Sequence, residues 1–351
     1  MSREIRKLEH LRLAQESVQQ DEPSAFDDLR LVHRSLPEID LAEVNPETSL
    51  GGVKLAAPLM INAMTGGSPA TQKVNEALAL IARETGLAMA VGSQQAALDN
   101  PELAATYQIV RQINPKGVIV ANVSAAATIA EAQRAIEMIE ADLLQLHLNV
   151  PQELVMPEGE RTFQGVLAKL ARVVAASPVP VIAKEVGFGM CAETYRELES
   201  AGVTLVDVGG RGGANFIRVE NERRPAKEYA YLGDWGQSTP ISLLESLEFQ
   251  PRLHFIASGG LRNPLDMVKC FALGADAVGL ASPILKLYHE AGIDGAIETM
   301  NGWQEQLRAI MAMLGVRAFA EFQALPVVVT GKTKEWCEAR HIAIAGLGKR
   351  S

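Results

Sequence analysis

From residue 58 onward the chain repeats one pattern: a short apolar run, a turn marked by glycine or asparagine, then apolar residues at helical spacing. The repeat returns at intervals of roughly 25 to 35 residues, which is βα alternation. Strands are read at 59–63, 87–91, 117–121, 143–148, 181–184, 205–208, 254–257 and 277–280. Helices fit between them at 72–84, 103–112, 128–140, 163–175, 192–200, 241–247 and 264–273, with one more beginning near Pro283. Runs such as Val118-Ile119-Val120-Ala121 and Pro180-Val181-Ile182-Ala183 lack polar alternation, as strands buried on both faces of a parallel sheet do. Eight such units predict an α/β fold of the closed (β/α)8 TIM barrel type rather than an open doubly wound sheet. The dinucleotide fingerprint G-x-G-x-x-G is also missing after the first strand, where Met64-Thr65-Gly66-Gly67-Ser68-Pro69 stands instead.

The remaining segments are additions to one barrel domain spanning residues 1–351. An extension, 1–53, precedes it; an insert, 215–238, lengthens the connection after the sixth strand; a helical tail, 297–323, closes or covers one end. The insert contains Glu220-Asn-Glu-Arg-Arg-Pro-Ala-Lys-Glu228, dense in charge and broken by proline, and is read as a solvated loop and a candidate lid.

Composition narrows the partners. With 33 Lys+Arg against 42 Asp+Glu the net charge is -9, which opposes a protein that coats nucleic acid but leaves an anionic small molecule open. Cys191, Cys270 and Cys337 lie far apart with no CxxC spacing, so neither a disulfide framework nor a zinc site is expected, and a reducing cytoplasm is the expected compartment. The longest charge-free stretch, 55–72, is interrupted by Pro58, Asn62, Gly66, Gly67 and Pro69, and no membrane span is expected. The charged N-terminal run does not read as a signal peptide.

In such barrels the chemistry gathers where strands end. Here those positions hold Met64-Thr65-Gly66-Gly67, Ser93-Gln94, Asn122, His147 with Asn149, Gln152 and Glu153, Lys184-Glu185, Gly209 to Gly213, Ser258-Gly259-Gly260, and Gly279 to Ser282. Glycine permits either tight turns or close approach of backbone N–H groups to an anion; three adjacent glycine loops favour a phosphorylated ligand. Three roles fit Lys184: a Schiff-base amine, a fixed charge beside a cofactor, or half of a salt bridge with Glu185. Alternation at the strand end points His147 and Asn149 the same way. Glu153 stands without a second carboxylate in its run, which suits one Mg²⁺ ligand beside substrate phosphates better than a paired acid/base site, and also suits a surface charge opening a helix. Arg3, Lys7 and His10 share helical spacing, compatible with a solvated face or with a basic arm over a diphosphate.

With Arg6-Lys7-x-x-His10, Ala63-Met64-Thr65-Gly66-Gly67, Gly92-Ser93-Gln94, Ala121-Asn122, His147-Leu-Asn-Val-Pro-Gln-Glu153, Lys184-Glu185-Val-Gly187, Gly209-Gly-Arg-Gly-Gly213 and Ala257-Ser-Gly-Gly260 in order, the chain resembles type 2 isopentenyl-diphosphate isomerases. The resemblance implies an FMN-containing barrel, a homotetramer or homo-octamer, that interconverts isopentenyl diphosphate and dimethylallyl diphosphate in isoprenoid biosynthesis. It further implies a need for Mg²⁺ and for reduced FMN, with NADPH as reductant. By motif, Ala63, Met64, Thr65, Ser93, Asn122 and Lys184 would contact FMN, with Gly259, Gly260, Leu280 and Ala281 at its phosphate. Arg6, Lys7 and His10 would bind the substrate diphosphate, with His147 and Asn149 near the substrate, Gln152 as the catalytic residue at its reacting end, and Glu153 on Mg²⁺. One departure is visible: Ala214 stands where the family carries threonine after its glycine loop, which puts the phosphate contact there in doubt.

The alternatives to this reading are a non-catalytic phosphate- or flavin-binding protein and an FMN-dependent oxidoreductase such as a 2-hydroxy-acid oxidase, whose chemistry wants a catalytic His and a carboxylate-binding Arg near the flavin, whereas strand seven here ends in Ala257-Ser-Gly-Gly260 with Arg262 the only arginine just beyond it. Cys191 stands at a helix start, where a dipole can lower a thiol's pKa, but is expected to take no part in the chemistry.

Overall fold

The structure, a computed structural model, describes residues 24–350. Arg6, Lys7 and His10 therefore lie outside the described residues.

Eight parallel strands close a barrel: β1 (Leu59–Ile61), β2 (Ala88–Ala90), β3 (Ile119–Ser124), β4 (Leu143–Leu148), β5 (Val181–Glu185), β6 (Leu205–Asp207), β7 (His254–Ser258) and β8 (Ala275–Leu280). Neighbours in sequence are neighbours in the ring, and β8 returns to β1 with Val278 opposite Leu59. Helices α1 (Pro69–Thr85), α2 (Ala105–Ile113), α3 (Ile129–Met138), α4 (Val166–Ala176), α5 (Ala192–Ser200), α6 (Thr239–Glu245), α7 (Pro264–Ala272) and α8 (Ser282–Leu314) alternate with them. The local signals that bound α1 are typical: Ser68 accepts from Thr71 N–H, Pro69 occupies the first turn, and Gly86 ends the helix at φ +71°.

Strand periodicity sorts the interior into two layers. Met60, Ala88, Val120, Leu143, Ile182, Leu205, Ile256 and Ala277 point inward as one apolar ring, sealed from below by Leu50 and Leu55 of a hairpin (Thr48–Leu50 with Val53–Leu55). Two residues further along, on the same inward face, stand Asn62, Asn122, Gln145, Lys184, Asp207 and Ser258, all buried. The alternate positions, among them Ile61, Ala121, Leu144, Ala183, Val206 and Val278, face outward into the main core beneath the helices.

The charged insert departs from its reading as a solvated loop. Residues Phe216–Glu222 form a helix whose Ile217 packs with Val155 and Phe188, and Glu220 and Asn221, inside the charged run, are buried. Glu220 pairs with Arg223 at 2.5 Å beneath the surface, and Arg223 also reaches the exposed Glu158 at 2.6 Å, so two charges that composition assigns to solvent satisfy one another inside. The tail also differs. The helix expected from Pro283 and the tail expected at 297–323 are one element, α8, bent at Gly292 (φ 71°) and ended by Gly315; a 3-10 turn, Phe319–Ala324, follows.

Beyond it, Val327–Val329 pairs antiparallel with Leu29–Leu31. The helix Gly331–Ala339 is then fixed twice. Asp28 accepts from Thr333 N–H and Oγ1 at 3.0 and 2.8 Å, and buried Glu245 on α6 accepts from Trp336 Nε1 at 2.9 Å and from Arg340 Nε at 3.0 Å. Among the described residues no helix is long and apolar enough to cross a membrane.

Candidate functional site

The strand ends open into a cavity of about 2090 Å³. That volume exceeds the several hundred Å³ typical of a single-ligand pocket, so it can receive two molecules together.

One wall is the loop after β1. Ala63, Met64 and Thr65 line it, and the Thr65 hydroxyl is buried with no hydrogen-bond partner among the described residues. An orphaned buried hydroxyl on a cavity wall is a donor and acceptor reserved for something bound. Gly92 is required beside it, because a Cβ there would sit within 2.7 Å of the Thr65 backbone. Ser93 follows, its carbonyl holding the Tyr107 hydroxyl at 2.6 Å.

The opposite wall is the glycine cradle. Gly212 and Gly260 approach so closely that a Cβ on either would lie about 3.0 to 3.1 Å from the other's Cα, and both have φ in the left-handed range. Gly259, Gly260, Leu280, Ala281 and Ala214 all line the cavity, and α8 begins beside them, where the positive end of its dipole would favour an anion. These residues fit a flavin with a phosphate tail: polar groups for a ring system on one side, backbone donors on the other. Ala214 offers this wall no hydroxyl.

The floor is the polar ring. Lys184 Nζ pairs with Asp207 at 3.0 Å and also reaches the Glu185 carbonyl at 3.0 Å, so its ionic partner is Asp207 and not the Glu185 carboxyl. The latter, pushed up to about 8 by burial, turns away to accept from Gly187 and Phe188 N–H. His147 Nδ1 lies 2.8 Å from Asn122 Oδ1. Burial and then the Lys184 charge press the ring down to about 4, against a backbone hydrogen bond at Val123 that acts upward. Below the ordinary 6.5 the unfolded chain takes up a proton that the folded ring refuses, so this contribution to stability is full above about 6.5 and is lost as pH falls toward 4. His147→Asn is expected to flatten that acid limb of thermal stability in a pH series of melting curves; an unchanged slope would contradict the neutral ring.

The fourth group comes from one helical turn, Val150–Val155, with Pro151 in its first turn. Positions i, i+3 and i+4 bring Asn149, Gln152 and Glu153 together: Asn149 Nδ2 donates to Glu153 Oε1 at 2.8 Å and to Gln152 Oε1 at 3.4 Å. All three line the cavity. Glu153 Oε2 accepts from Glu160 N–H at 2.8 Å, and no group of three or more metal-binding side chains occurs among the described residues. The site offers a metal one carboxylate with room for waters and phosphate oxygens, which fits Mg²⁺.

The structure thus brings together every described residue of the sequence-derived site. It adds four more: Asn62, Gln145, Asp207 and Glu220, the last accepting from Gln152 Nε2 at 3.3 Å. The signal for the first three was a polar residue at an inward position within or just past a largely apolar strand. Arg262 is held by Asp27 at 2.7 Å and Asp266 at 2.8 Å, which ties up the arginine the oxidase reading would need. Cys191 caps α5 beside Thr194 and is not among the described residues lining the cavity.

Residues 162–328 match the FMN-dependent dehydrogenase family. In structure the chain is similar to a mandelate oxidase variant with a monooxide FMN adduct (TM-score 0.64, 18% identity, 90% of this chain and 91% of that one). It is also similar to a flavocytochrome b2 variant with benzoylformate (TM-score 0.64, 17% identity, 90% and 78%). Likeness at that identity speaks for the fold. In sequence the chain is 46% identical over 349 residues to the isopentenyl-diphosphate delta-isomerase of Listeria welshimeri, covering 99% of this chain and 98% of that one. The enzyme of the same name from Staphylococcus epidermidis is 48% identical over 338 residues, 96% and 97% of the two chains. A flavin-type barrel alike along almost its whole length to those enzymes, with the Gln152-Glu153 turn on its rim, belongs to the type 2, FMN-dependent isopentenyl-diphosphate isomerase family.

Proposed function

We propose that this chain interconverts isopentenyl diphosphate and dimethylallyl diphosphate by allylic proton transfer. The observation that carries the reading is the placement of the Asn149–Gln152–Glu153 turn on the same cavity as the glycine cradle, so that substrate and flavin would share one chamber. A protonation at an alkene carbon and a deprotonation beside it need an acid and a base. Reduced FMN, when bound, supplies those through its ring nitrogens N5 and N1, with NADPH as the reductant. Lys184, steadied by Asp207, holds positive charge where an anionic ring system would lie. Gln152 fixes the reacting end of the substrate. Glu153 would hold Mg²⁺ for the diphosphate, for which Arg6, Lys7 and His10 would supply positive charge, with Asn149 and His147 serving the substrate. No side chain is the primary proton donor in this scheme.

The chain works as a homotetramer or homo-octamer in the cytoplasm. The part of insert 215–238 available to act as a lid is the portion beyond the anchored helix, where Tyr231 and Trp235 are exposed.

Anaerobic incubation with isopentenyl diphosphate, Mg²⁺, FMN and NADPH tests the reading. Dimethylallyl diphosphate formed without stoichiometric NADPH loss is expected; substrate oxidation would favour the oxidoreductase, and no conversion a binding protein. Ala214→Thr is expected to return a hydroxyl to the phosphate cradle and tighten FMN about tenfold, the worth of one hydrogen bond of roughly 1.4 kcal/mol. Fluorescence titration of the apoenzyme reads this; weaker binding would place Ala214 away from the phosphate.

A further inference from the structure

The polar floor of the barrel is a hydrogen-bonded chain with a direction. It begins at Asp207, which is wholly buried. Its Oδ2 accepts from Asn62 Nδ2 at 2.7 Å and faces Lys184 Nζ at 3.0 Å, while Oδ1 accepts from Ser258 Oγ at 2.5 Å and Gly209 N–H at 3.2 Å. A carboxylate ringed by four donors has nothing to donate, so the Asn62 amide must turn its NH2 toward it. A second anchor agrees: Ala63 N–H, which cannot reverse its role, donates to Asn62 Oδ1 at 2.8 Å. With that oxygen fixed, Gln145 must present Nε2 to it, at 3.0 Å. The Gln145 Oε1 then accepts from Asn122 Nδ2 at 3.1 Å, and the oxygen left over, Asn122 Oδ1, faces His147 Nδ1 at 2.8 Å. An acceptor in that place requires a hydrogen on Nδ1.

We infer that Asp207, Asn62, Gln145 and Asn122 are positioning residues that place a hydrogen on Nδ1 of His147, so that whenever the ring is neutral its lone pair sits on Nε2. His147 lines the cavity, so the chain of amides carries an orientation set at one buried carboxylate across the barrel to the site. Its role, though not its tautomer, rests on the isomerase reading. A lone pair on Nε2 accepts from an N–H or O–H of whatever is bound and repels a bare diphosphate oxygen. His147 therefore holds a donor-bearing group of the flavin, of bound water or of a protonated phosphate, while the cationic residues and Mg²⁺ hold the ionised oxygens.

Nitrogen NMR of the holoenzyme labelled with ¹⁵N-histidine reads the tautomer directly. The His147 signals, identified by their disappearance in His147→Asn, are expected near neutral pH to show a pyrrole-type Nδ1 and a pyridine-type Nε2. A neutral ring with its hydrogen on Nε2 instead would overturn the inference. Gln145→Met cuts the chain at its middle without adding charge, and in a variant that retains FMN it is expected to convert the single pattern into a mixture of both neutral forms. An unchanged pattern in that variant would show that the amides do not set it. Should Gln145→Met fail to fold, the wild-type spectrum still decides the tautomer. Turnover of isopentenyl diphosphate is measured separately: a Nδ1–H ring in an enzyme without isomerase activity would sink the functional reading and leave the tautomer standing.

Discussion

Gln152→Leu is expected to lower kcat by about a thousandfold while KM for the diphosphate changes less than about fivefold. The side chain is held at both ends, Oε1 by Asn149 Nδ2 at 3.4 Å and Nε2 by Glu220 Oε1 at 3.3 Å, so the amide sits in one orientation before anything binds. Leucine keeps the bulk and loses both hydrogen bonds, which removes orientation and leaves the diphosphate grip intact. Such positioning is worth several kcal/mol of barrier because a misplacement of about 1 Å already costs on the order of a hundredfold. Lys7→Ala serves as the contrast: it is expected to raise KM about tenfold with a smaller effect on kcat. Steady-state kinetics on both variants, with FMN content checked by absorbance, decides the matter. If Gln152→Leu mainly raised KM and Lys7→Ala mainly lowered kcat, the division of roles would be wrong.

Glu245→Ala is expected to destabilise the fold by about 1–3 kcal/mol, the cost of leaving the Trp336 indole and the Ala192 N–H without their acceptor, since Arg340 is exposed and keeps Glu193 as a partner. Its carboxylate, 3% exposed, gathers Trp336 Nε1 at 2.9 Å, Arg340 Nε at 3.0 Å and Ala192 N–H at 3.1 Å, joining the C-terminal helix to α6 and the start of α5. The melting temperature should fall by roughly 2–4 °C, while FMN binding in the folded fraction stays as before, since none of these groups meets the cavity. Glu245→Gln keeps acceptor capacity for the indole and the backbone, and less than half of the loss is expected. A loss under about 1 kcal/mol for the alanine variant would mean that the strands Leu29–Leu31 and Val327–Val329 hold this end alone.

The barrel could be read from the sequence because its strands are near-continuous apolar runs: the fourth matches the structure end to end, and most of the others shift by one or two residues. The site residues at the strand ends were legible for a related reason, since polar and glycine-rich stretches after apolar runs have few structural uses. Asn62, Gln145 and Asp207 were not legible as a set. Each is a polar residue in or just past a largely apolar strand, and only the closed ring shows that they meet. Glu220 was hidden by its company: in a run of charges, composition assigns every member to solvent, and burial becomes visible only when Arg223 is seen to neutralise it. The ends of the described chain were hardest, because Leu29–Leu31 and Val327–Val329 find each other across about three hundred residues, beyond any local pattern.

The two-layered interior also disciplines how the barrel can close. A strand docked two residues out of place keeps its inward face inward, so hydrophobic alternation alone does not reject the error. It does shift the strand by about 6.6 Å along its axis. In β1, β4 or β6 that would drop Asn62, Gln145 or Asp207 into the apolar ring beneath, each stripped of its partner at a cost of about 1–3 kcal/mol or more for the charge. Chemistry and proofreading therefore share the same side chains: the residues that prepare the site are also those that make a mispaired barrel too costly to persist.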